Sequence, residues 1–246
     1  MRMNFVIGDI HGEHTKLKAL IEHIFSMDAN PTLIFIGDYT DKGENPYITL
    51  KYLTALNEKT NCIFLRGNHE FYWENLDLYP EKNSEALLKY GAKNTIESAG
   101  GNLSLLETKN IFYSKFGSIL NNLKNFYVEE KYVATHSGIP PAFYLTALEQ
   151  IPVDKLLFNR YDFISLEKKY FDKKVIFGHT GFYSPYYDGF KIGIDTAACY
   201  LEAQPLTAFC TTEEFFINST NNVVQLSSIN QSSCPAIPRV KAWRQK

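Results

Sequence analysis

Three short polar blocks follow three apolar runs in the N-terminal third of the chain, and each block opens on glycine. They read GDIHG at residues 8–12, GDYTDKG at residues 37–43 and GNHE at residues 67–70. Apolar runs rich in β-branched and aromatic residues, bounded by glycine, predict buried strands. Because ligands collect at the carboxyl ends of parallel strands, the three blocks are expected to meet at one edge of a sheet.

The segments between these strands predict helices. We expect strands at residues 3–7, 33–36 and 62–65, and helices at residues 13–25 and 47–57. The first helix carries apolar residues at three- and four-residue spacing, which is typical of an amphipathic helix. This alternation of strands and helices indicates an α/β fold built from parallel β-α-β units.

The later part of the chain predicts a helical insertion, further strands and a polar tail. Residues 71–124 are expected to form a helical cap, interrupted at Gly100 and Gly101. Strands are expected at residues 126–128 and 132–135 and, in a second sheet, at residues 175–177, 191–194, 206–210 and 214–217. From residue 218 the chain is rich in Ser, Asn and Gln and has no period. We therefore expect a single domain over residues 1–217 and a partly ordered tail over residues 218–246.

Composition excludes several classes of partner. Hydrophobic residues make up 45% of the 246-residue chain, and its 25 basic and 27 acidic residues nearly cancel. No basic stripe favours nucleic acid or a membrane surface, and no apolar run reaches the roughly 20 residues that span a bilayer. The first strand begins too early for a signal peptide, so a cytoplasmic protein is expected. The sequence leaves the oligomeric state open.

The four cysteines do not form a recognisable reactive or metal-binding motif. They show no C-x-x-C spacing, and none lies in a phosphate-binding loop: Cys62, Cys199, Cys210 and Cys234. We expect reduced thiols rather than disulfides, and we set cysteine-based catalysis aside.

The three blocks resemble the signature motifs of the phosphoprotein phosphatase family of dinuclear metallophosphoesterases. The family's two later histidine motifs have counterparts in ATHSG at residues 134–138 and FGHT at residues 177–180. YGA at residues 90–92 is similar to a segment of the bacterial and phage branch, and GIDTA at residues 193–197 is similar to the family's closing strands. The resemblance covers about residues 3 to 212. It implies the calcineurin-like β-sandwich flanked by helices.

The resemblance also implies two divalent metal ions, with Mn the leading candidate and Fe or Zn as alternatives. Asp9 and His11 would bind the first ion, and Asp38 would bridge both. The second ion would be bound by Asn68, His136 and His179. Carboxylate, amide and imidazole donors suit these metals. Four of the six histidines fall on motif positions, which favours a metal site over isolated structural roles.

The same resemblance assigns catalytic and substrate-binding roles. A hydroxide shared by the two ions would attack phosphorus in line, and His69 would protonate the leaving oxygen while Asp41 orients its imidazole. The substrate phosphate would be bound by Arg66, Arg160, Lys42 and Asn68. Lys42 is the main departure from the family, which usually has arginine there, and lysine loses the bidentate recognition of phosphate.

The leading functional prediction is a serine/threonine protein phosphatase, with phosphotyrosine or small phosphate esters as further substrates. The alternative is a hydrolase of dinucleoside polyphosphates such as diadenosine tetraphosphate. Symmetrical hydrolases of that kind tend to lack the second aspartate of the GD..D.G motif and to end the third motif in aspartate, so Asp41 and Glu70 favour the phosphatase. A catalytically inactive phosphate- or partner-binding module is a third interpretation, which the intact set of motif residues disfavours.

Overall fold

Two β-sheets packed face to face form the centre of the protein. The computed structural model describes residues 2–166 and 172–229. Within them the first sheet has six strands and the second has five. Residues 230–246, which belong to the predicted tail, lie outside the described part.

The first sheet combines the three N-terminal strands with three strands from the C-terminal part of the chain. Its strands are β1 (Asn4–Ile7), β2 (Thr32–Phe35), β3 (Asn61–Phe64), β9 (Thr207–Cys210), β10 (Phe215–Asn218) and β11 (Val223–Gln225). Their order across the sheet is β11-β10-β9-β1-β2-β3. β1, β2 and β3 are parallel, as the alternation of strands and helices predicts, whereas β9 joins β1 in the antiparallel sense.

The second sheet is assembled from the middle of the chain. Its strands are β4 (Phe126–Val128), β5 (Tyr132–Thr135), β6 (Lys174–Phe177), β7 (Tyr186–Tyr187) and β8 (Lys191–Gly193). They are ordered β4-β5-β6-β8-β7, and β5, β6 and β8 are parallel to one another. The carboxyl ends of these parallel strands supply the later histidine motifs and the GIDTA segment.

Helices cover the outer faces of both sheets. They are α1 (His14–Met27), α2 (Pro46–Asn57), α3 (Asn68–Glu74), α4 (Pro80–Lys89), α5 (Ala92–Ser98), α6 (Leu105–Leu120), α7 (Val153–Leu157) and α8 (Tyr161–Ile164). The segment expected to form a helical cap holds α3 to α6, and α5 and α6 pack beside α2. Proline at the first position of α2 suits a helix start, and the Ser104 side chain accepts the Glu107 N–H at the start of α6.

The alternation of side chains along the strands creates the layers of the core. Val6 and Ile34 point between the sheets, where they join Ile176 and Ile192 in one buried cluster. Their neighbours on the same strands point outward and pack against α1, α2 and α6. A third cluster covers the outer face of the second sheet with α7 and α8. These layers form the expected α/β sandwich flanked by helices.

Two expectations about the C-terminal strands are wrong. The strands predicted at residues 206–210 and 214–217 belong to the first sheet, because Ile7 pairs with Ala208 and Phe216 pairs with Phe209. Hydrophobic pattern predicts a strand but not its neighbour. The predicted domain boundary at residue 217 also falls too early, since β11 pairs with β10 and extends the sheet to Gln225.

The structure bears on membrane-spanning segments and on the state of the cysteines. Within residues 2–166 and 172–229, no helix is both long enough and apolar enough to cross a membrane. The cysteines in the same ranges are free thiols: Cys62, Cys199 and Cys210.

Packing between the sheets predicts a large stability cost for truncation at Ile34, which is completely buried. Ile34→Ala should lower the free energy of unfolding by about 2–5 kcal/mol, because it removes buried apolar surface and leaves a cavity. Urea denaturation measures this change. Ile48→Ala, at a side chain that is 46% exposed on α2, is the matched control and should change stability by less than about 1 kcal/mol. Equal losses for the two variants would contradict the assigned packing.

Candidate metal centre

The motif residues gather where the parallel strands of both sheets end. Asp9 follows β1, Asp38 follows β2, Asn68 begins α3 after β3, His136 follows β5 and His179 follows β6. All five side chains are buried, each less than a tenth exposed. The structure therefore brings together donors that are far apart in the sequence.

The Asp38 carboxylate lies at the centre of this group. Its Oδ2 is 3.2 Å from His11 Nε2, and its Oδ1 is 3.4 Å from His136 Nε2. The backbone N–H of His69 also donates to Oδ1 at 3.1 Å. Burial by itself would raise the pKa of Asp38, but the imidazoles of His136, His69 and His11 hold it well below its usual range. A carboxylate that touches imidazoles on both sides is placed as a bridging ligand would be.

Two imidazoles are fixed so that their Nε2 lone pairs face the centre. His11 Nδ1 lies 2.8 Å from the Thr40 carbonyl oxygen, and His136 Nδ1 lies 3.1 Å from the Ile36 carbonyl oxygen. Since a carbonyl only accepts, each Nδ1 carries the proton and each Nε2 presents a lone pair. Donation of the second ring N–H to a carbonyl is the usual support for a metal-binding histidine.

Several metal-ligand atoms of the site face one another with no proton between them, so a cation suits them better than their mutual contact does. His136 Nε2 lies 3.0 Å from Asn68 Oδ1, and the same amide oxygen lies 2.8 Å from His179 Nδ1. The lone pair on His136 Nε2 thus faces two oxygens, one from Asn68 and one from Asp38. A divalent ion between such atoms would satisfy all of them, and imidazole, amide and carboxylate are ligands for Mn, Fe or Zn.

The ligand atoms form two groups that share Asp38. His11, Asp38 and His69 form one, and Asp38, His136 and His179 form the other, with all ligand atoms of each group within 4.8 Å of one another. The second group contains His136 and His179, two of the three residues predicted for the second ion, and the Oδ1 atom of the third, Asn68, lies 3.0 Å and 2.8 Å from them. In the first group His69 stands beside His11, whereas Asp9, predicted as a ligand of the first ion, is not among the grouped atoms.

Asp9 lies at the edge of the two groups and interacts with both sheets. Both of its carboxylate oxygens accept the backbone N–H of His179, at 3.0 and 3.2 Å. Burial and the neighbouring carboxylates of Asp195 and Asp38 raise the pKa of Asp9 well above its usual value. A Cβ at Gly178 would lie 2.0 Å from Asp9 Oδ1, so this position admits only glycine.

Asp195 is an acidic residue of the centre to which the sequence interpretation assigned no role. It is 4% exposed, and burial raises its pKa while the Ala197 N–H donates to it at 2.8 Å. Its signal was present in the sequence, since the GIDTA segment stands at the end of a predicted strand, and this strand, β8, ends at the same edge as the other motifs.

Unusual backbone conformations aim the ligands inward. His11, Asp38 and His179 have φ of 46°, 56° and 64°, in the left-handed region that side chains other than glycine seldom adopt. Such backbone is costly and is concentrated at functional sites. The neighbouring motif glycines Gly12 and Gly37 also have positive φ, of 72° and 112°, so the bends extend over both residues.

Glu70 stabilises the loop that carries Asp38. Its Oε2 accepts the backbone N–H groups of Asp38 at 2.8 Å and Gly67 at 3.1 Å, and its Oε1 accepts that of Tyr39 at 2.9 Å. Burial and the nearby charge of Asp38 raise the pKa of Glu70 to about 8, against the effect of these backbone donors. The last residue of the GNHE block is thus a structural link between the loops after β2 and β3.

His69, a member of the first group, forms a buried pair with Asp41. His69 Nδ1 lies 2.6 Å from Asp41 Oδ2. Two side chains that were not predicted for the site hold the carboxylate: Trp73 Nε1 donates at 3.2 Å to both oxygens, and Thr95 Oγ1 donates to Oδ1 at 2.5 Å. Because Nδ1 is engaged with Asp41, the imidazole turns Nε2 towards Asp38, at 3.9 Å from Oδ2.

The predicted phosphate-binding cations lie in three different environments. Lys42 Nζ is 2.6 Å from His11 Nε2 and 4.8 Å from the centre of the Tyr200 ring, so the ammonium lies among the candidate metal ligands. Arg160 Nη1 lies 3.4 Å from Thr180 Oγ1, next to His179 in the chain. Burial and the Arg160 charge together lower the pKa of His179 well below its usual value.

Arg66, directly before the GNHE block, is held by the side chains of Glu74 and Asn125. Glu74 binds its Nε at 2.9 Å and its Nη2 at 3.2 Å, and Asn125 Oδ1 accepts from Nη1 at 2.5 Å. The two carboxylate contacts engage one edge of the guanidinium in a bidentate ion pair. The phosphate-binding role of Arg66 remains a prediction from the resemblance.

Comparisons with known proteins agree with this geometry. The chain is 33% identical over 149 residues to serine/threonine-protein phosphatase 2B catalytic subunit A2 of Saccharomyces cerevisiae; the match covers 59% of this chain and 21% of the yeast protein. It therefore spans about a fifth of that relative's length. The fold resembles the cold-active protein-tyrosine phosphatase of a psychrophilic Shewanella species, with a TM-score of 0.62 and 12% identity, covering 92% of this chain and 80% of that one.

A second solved structure, of a protein assigned as a diadenosine tetraphosphatase, matches with a TM-score of 0.55 and 17% identity, covering 88% of this chain and 92% of that one. At these identities the two structures show a shared fold and not a shared substrate. The calcineurin-like phosphoesterase family as a whole matches residues 5–211, from β1 through β9. The chain belongs to the calcineurin-like phosphoesterase family.

Proposed function

We propose that this protein is a metal-dependent phosphomonoesterase of the bacterial and phage type that dephosphorylates phosphoserine and phosphothreonine in proteins. The observation that carries the proposal is the His69–Asp41 pair, 2.6 Å apart, which places the His69 imidazole next to the Asp38 carboxylate at the edge of the candidate metal centre. A hydrolase of alkyl phosphate esters needs an acid at this point, because expulsion of an unprotonated alkoxide is slow.

The protein's side chains account for the acid step. In the Asp41-bound orientation, His69 Nε2 is the nitrogen that faces the centre, and in the imidazolium form it gives its proton to the leaving oxygen. The Asp41 carboxylate fixes the ring and stabilises its positive charge, as an aspartate does for histidine in other hydrolases. Trp73 and Thr95 keep Asp41 in place through their hydrogen bonds.

The proposed metal ligands are Asp9, His11, Asp38, Asn68, His136 and His179, with Mn²⁺ the leading candidate. Two divalent ions there would neutralise the phosphate oxygens and activate water for in-line attack on phosphorus. Lys42, Arg66, Arg160 and Asn68 are proposed to bind the phosphate. The Lys42 ammonium is a point charge on a flexible stem, so it offers attraction without the directional fork of arginine.

Hydrolysis of dinucleoside polyphosphates is the alternative, and a direct comparison of substrates separates the two. The protein, stripped of metal and reloaded with Mn²⁺, is given a phosphothreonine peptide and diadenosine tetraphosphate at equal concentration. We expect faster release of phosphate from the peptide, measured as an initial rate. Faster cleavage of the dinucleotide would overturn the phosphatase assignment and retain the metal-dependent hydrolase.

Removing the shared carboxylate should disrupt metal binding. Asp38→Asn is expected to abolish turnover and to leave less than one Mn²⁺ per chain after reloading and desalting, because one amide oxygen replaces the charge that both groups share. Metal content is measured by atomic emission. Asp154→Asn, at an exposed aspartate on α7, is the matched control and should bind as much Mn²⁺ as the wild type. Two ions retained in Asp38→Asn would contradict the bridging role.

The assigned acid predicts a dependence on the leaving group. His69→Asn should lower kcat on a phosphothreonine peptide by about 10²–10⁴-fold, the usual contribution of acid catalysis. The loss should be smaller on phenyl phosphate, because a phenolate leaves without a full proton transfer. His23→Asn, at a half-buried histidine on α1, serves as the control. Turnover of the peptide at the wild-type rate by His69→Asn would show that another group is the acid.

A further inference from the structure

Four aromatic side chains form a continuous row beside the His69–Asp41 pair. Tyr90 and Tyr72 stack at 6.3 Å between ring centres with 20° between their planes, and Tyr72 lies 5.4 Å from Phe158. Phe71 meets Phe158 edge to face at 5.8 Å. These four residues are called the aromatic strip below. They come from α3, the end of α4 and the segment after α7, so the fold brings three separate parts of the chain together here.

The aromatic strip borders the candidate metal centre at Tyr90, whose ring lies 6.4 Å from the imidazole of His69. Further along the strip, Phe158 stands two residues before Arg160, whose guanidinium reaches Thr180 beside His179. A molecule whose phosphate lies at the metal centre and whose leaving oxygen faces His69 would therefore meet the aromatic strip on its leaving-group side.

The aromatic strip is not part of the sheet-flanking cores. Phe158 is 37% exposed, and Phe71, Tyr72 and Tyr90 are half-buried. Tyr72 is anchored from below by a small cluster of Trp73, Leu76, Leu87 and Ala92. The strip therefore has a supported base and a partly open face, an arrangement that can bind a flat apolar group.

We propose that the aromatic strip is a leaving-group subsite for an aryl ring, and that its side chains set the preference of the same centre between phosphotyrosine and phosphothreonine. This inference rests on the proposed phosphomonoesterase activity. A tyrosine ring attached to the phosphate would pack against Tyr90 and Phe158 in stacked or edge-to-face geometry, as the aromatic side chains already do with each other. Serine and threonine side chains are too short to make this contact, so the strip discriminates by the ring and not by the phosphate.

The test compares two peptides of identical sequence around a phosphotyrosine or a phosphothreonine. For the Mn²⁺-loaded enzyme, Phe158→Leu should lower the ratio of kcat/KM values, phosphotyrosine over phosphothreonine, by about fivefold, mainly through KM for the phosphotyrosine peptide. Leucine keeps apolar bulk and removes the ring. Tyr79→Leu, at an aromatic residue that is 61% exposed before α4, is the matched control and should leave the ratio unchanged.

A second measurement uses the wild-type protein alone, so the proposal stays testable if the variant is unstable. Phenylphosphonate should inhibit about fivefold more strongly than cyclohexylphosphonate, which has the same size but no aromatic face. Equal inhibition by the two compounds, or an unchanged peptide ratio in a folded Phe158→Leu variant, would overturn the subsite while leaving the phosphatase activity in place. If the wild type cleaved neither peptide, the proposed function would fail first.

Discussion

The structure depends on the placement of one carboxylate, that of Asp38, between imidazoles that come from both sheets. Its two oxygens contact His11 from the first sheet and His136 from the second. A charge buried to this degree is stable only with partners: the backbone N–H of His69 donates to it, and a cation between it and the imidazole lone pairs would complete the set. Asp38 can hold this position because Glu70 binds the backbone on either side of it. The geometry of the centre is thus set by a loop that adopts strained backbone and by a second carboxylate that stabilises it.

The fold separates two chemical tasks around this point. The donors at the strand ends form a charged, buried floor, whereas His69 and Asp41 stand at its side and are held by residues of the helical insertion. Thr95, on α5, binds Asp41 with its hydroxyl and also accepts the Asp41 backbone N–H. The insertion between β3 and β4 therefore supports the proposed acid, His69, and through Tyr90 it also borders the space next to this residue. A change within the insertion can alter the choice of leaving group without touching the metal ligands.

The positions of the candidate ligands at strand ends were easier to predict from the sequence than the pairing of the strands. Glycine-bounded blocks after apolar runs place Asp9, Asp38 and Asn68 at strand ends, because local pattern decides where a parallel strand stops. Pairing is not local, which is why β9 and β10 were expected in the wrong sheet. Trp73 and Thr95 were missed for a related reason: an indole or a hydroxyl on a helix gives no signal of its own until the fold brings it against Asp41. β11 was also missed, because its two valines stand within a polar segment and show no recognisable strand pattern.

The antiparallel pairing of β1 with β9 has a consequence for how the protein folds during its synthesis on the ribosome. The N–H of Gly8, directly before Asp9, is bound by the Thr207 carbonyl at 3.0 Å, and β1 lies between β2 and β9. A nascent chain presents Asp9 first but receives the strand that fixes it only after β1 to β8 have been made. Contacts of such long sequence separation form slowly. The donor side chains on the early strands therefore wait for β9, and the centre is completed only when that strand has paired with β1.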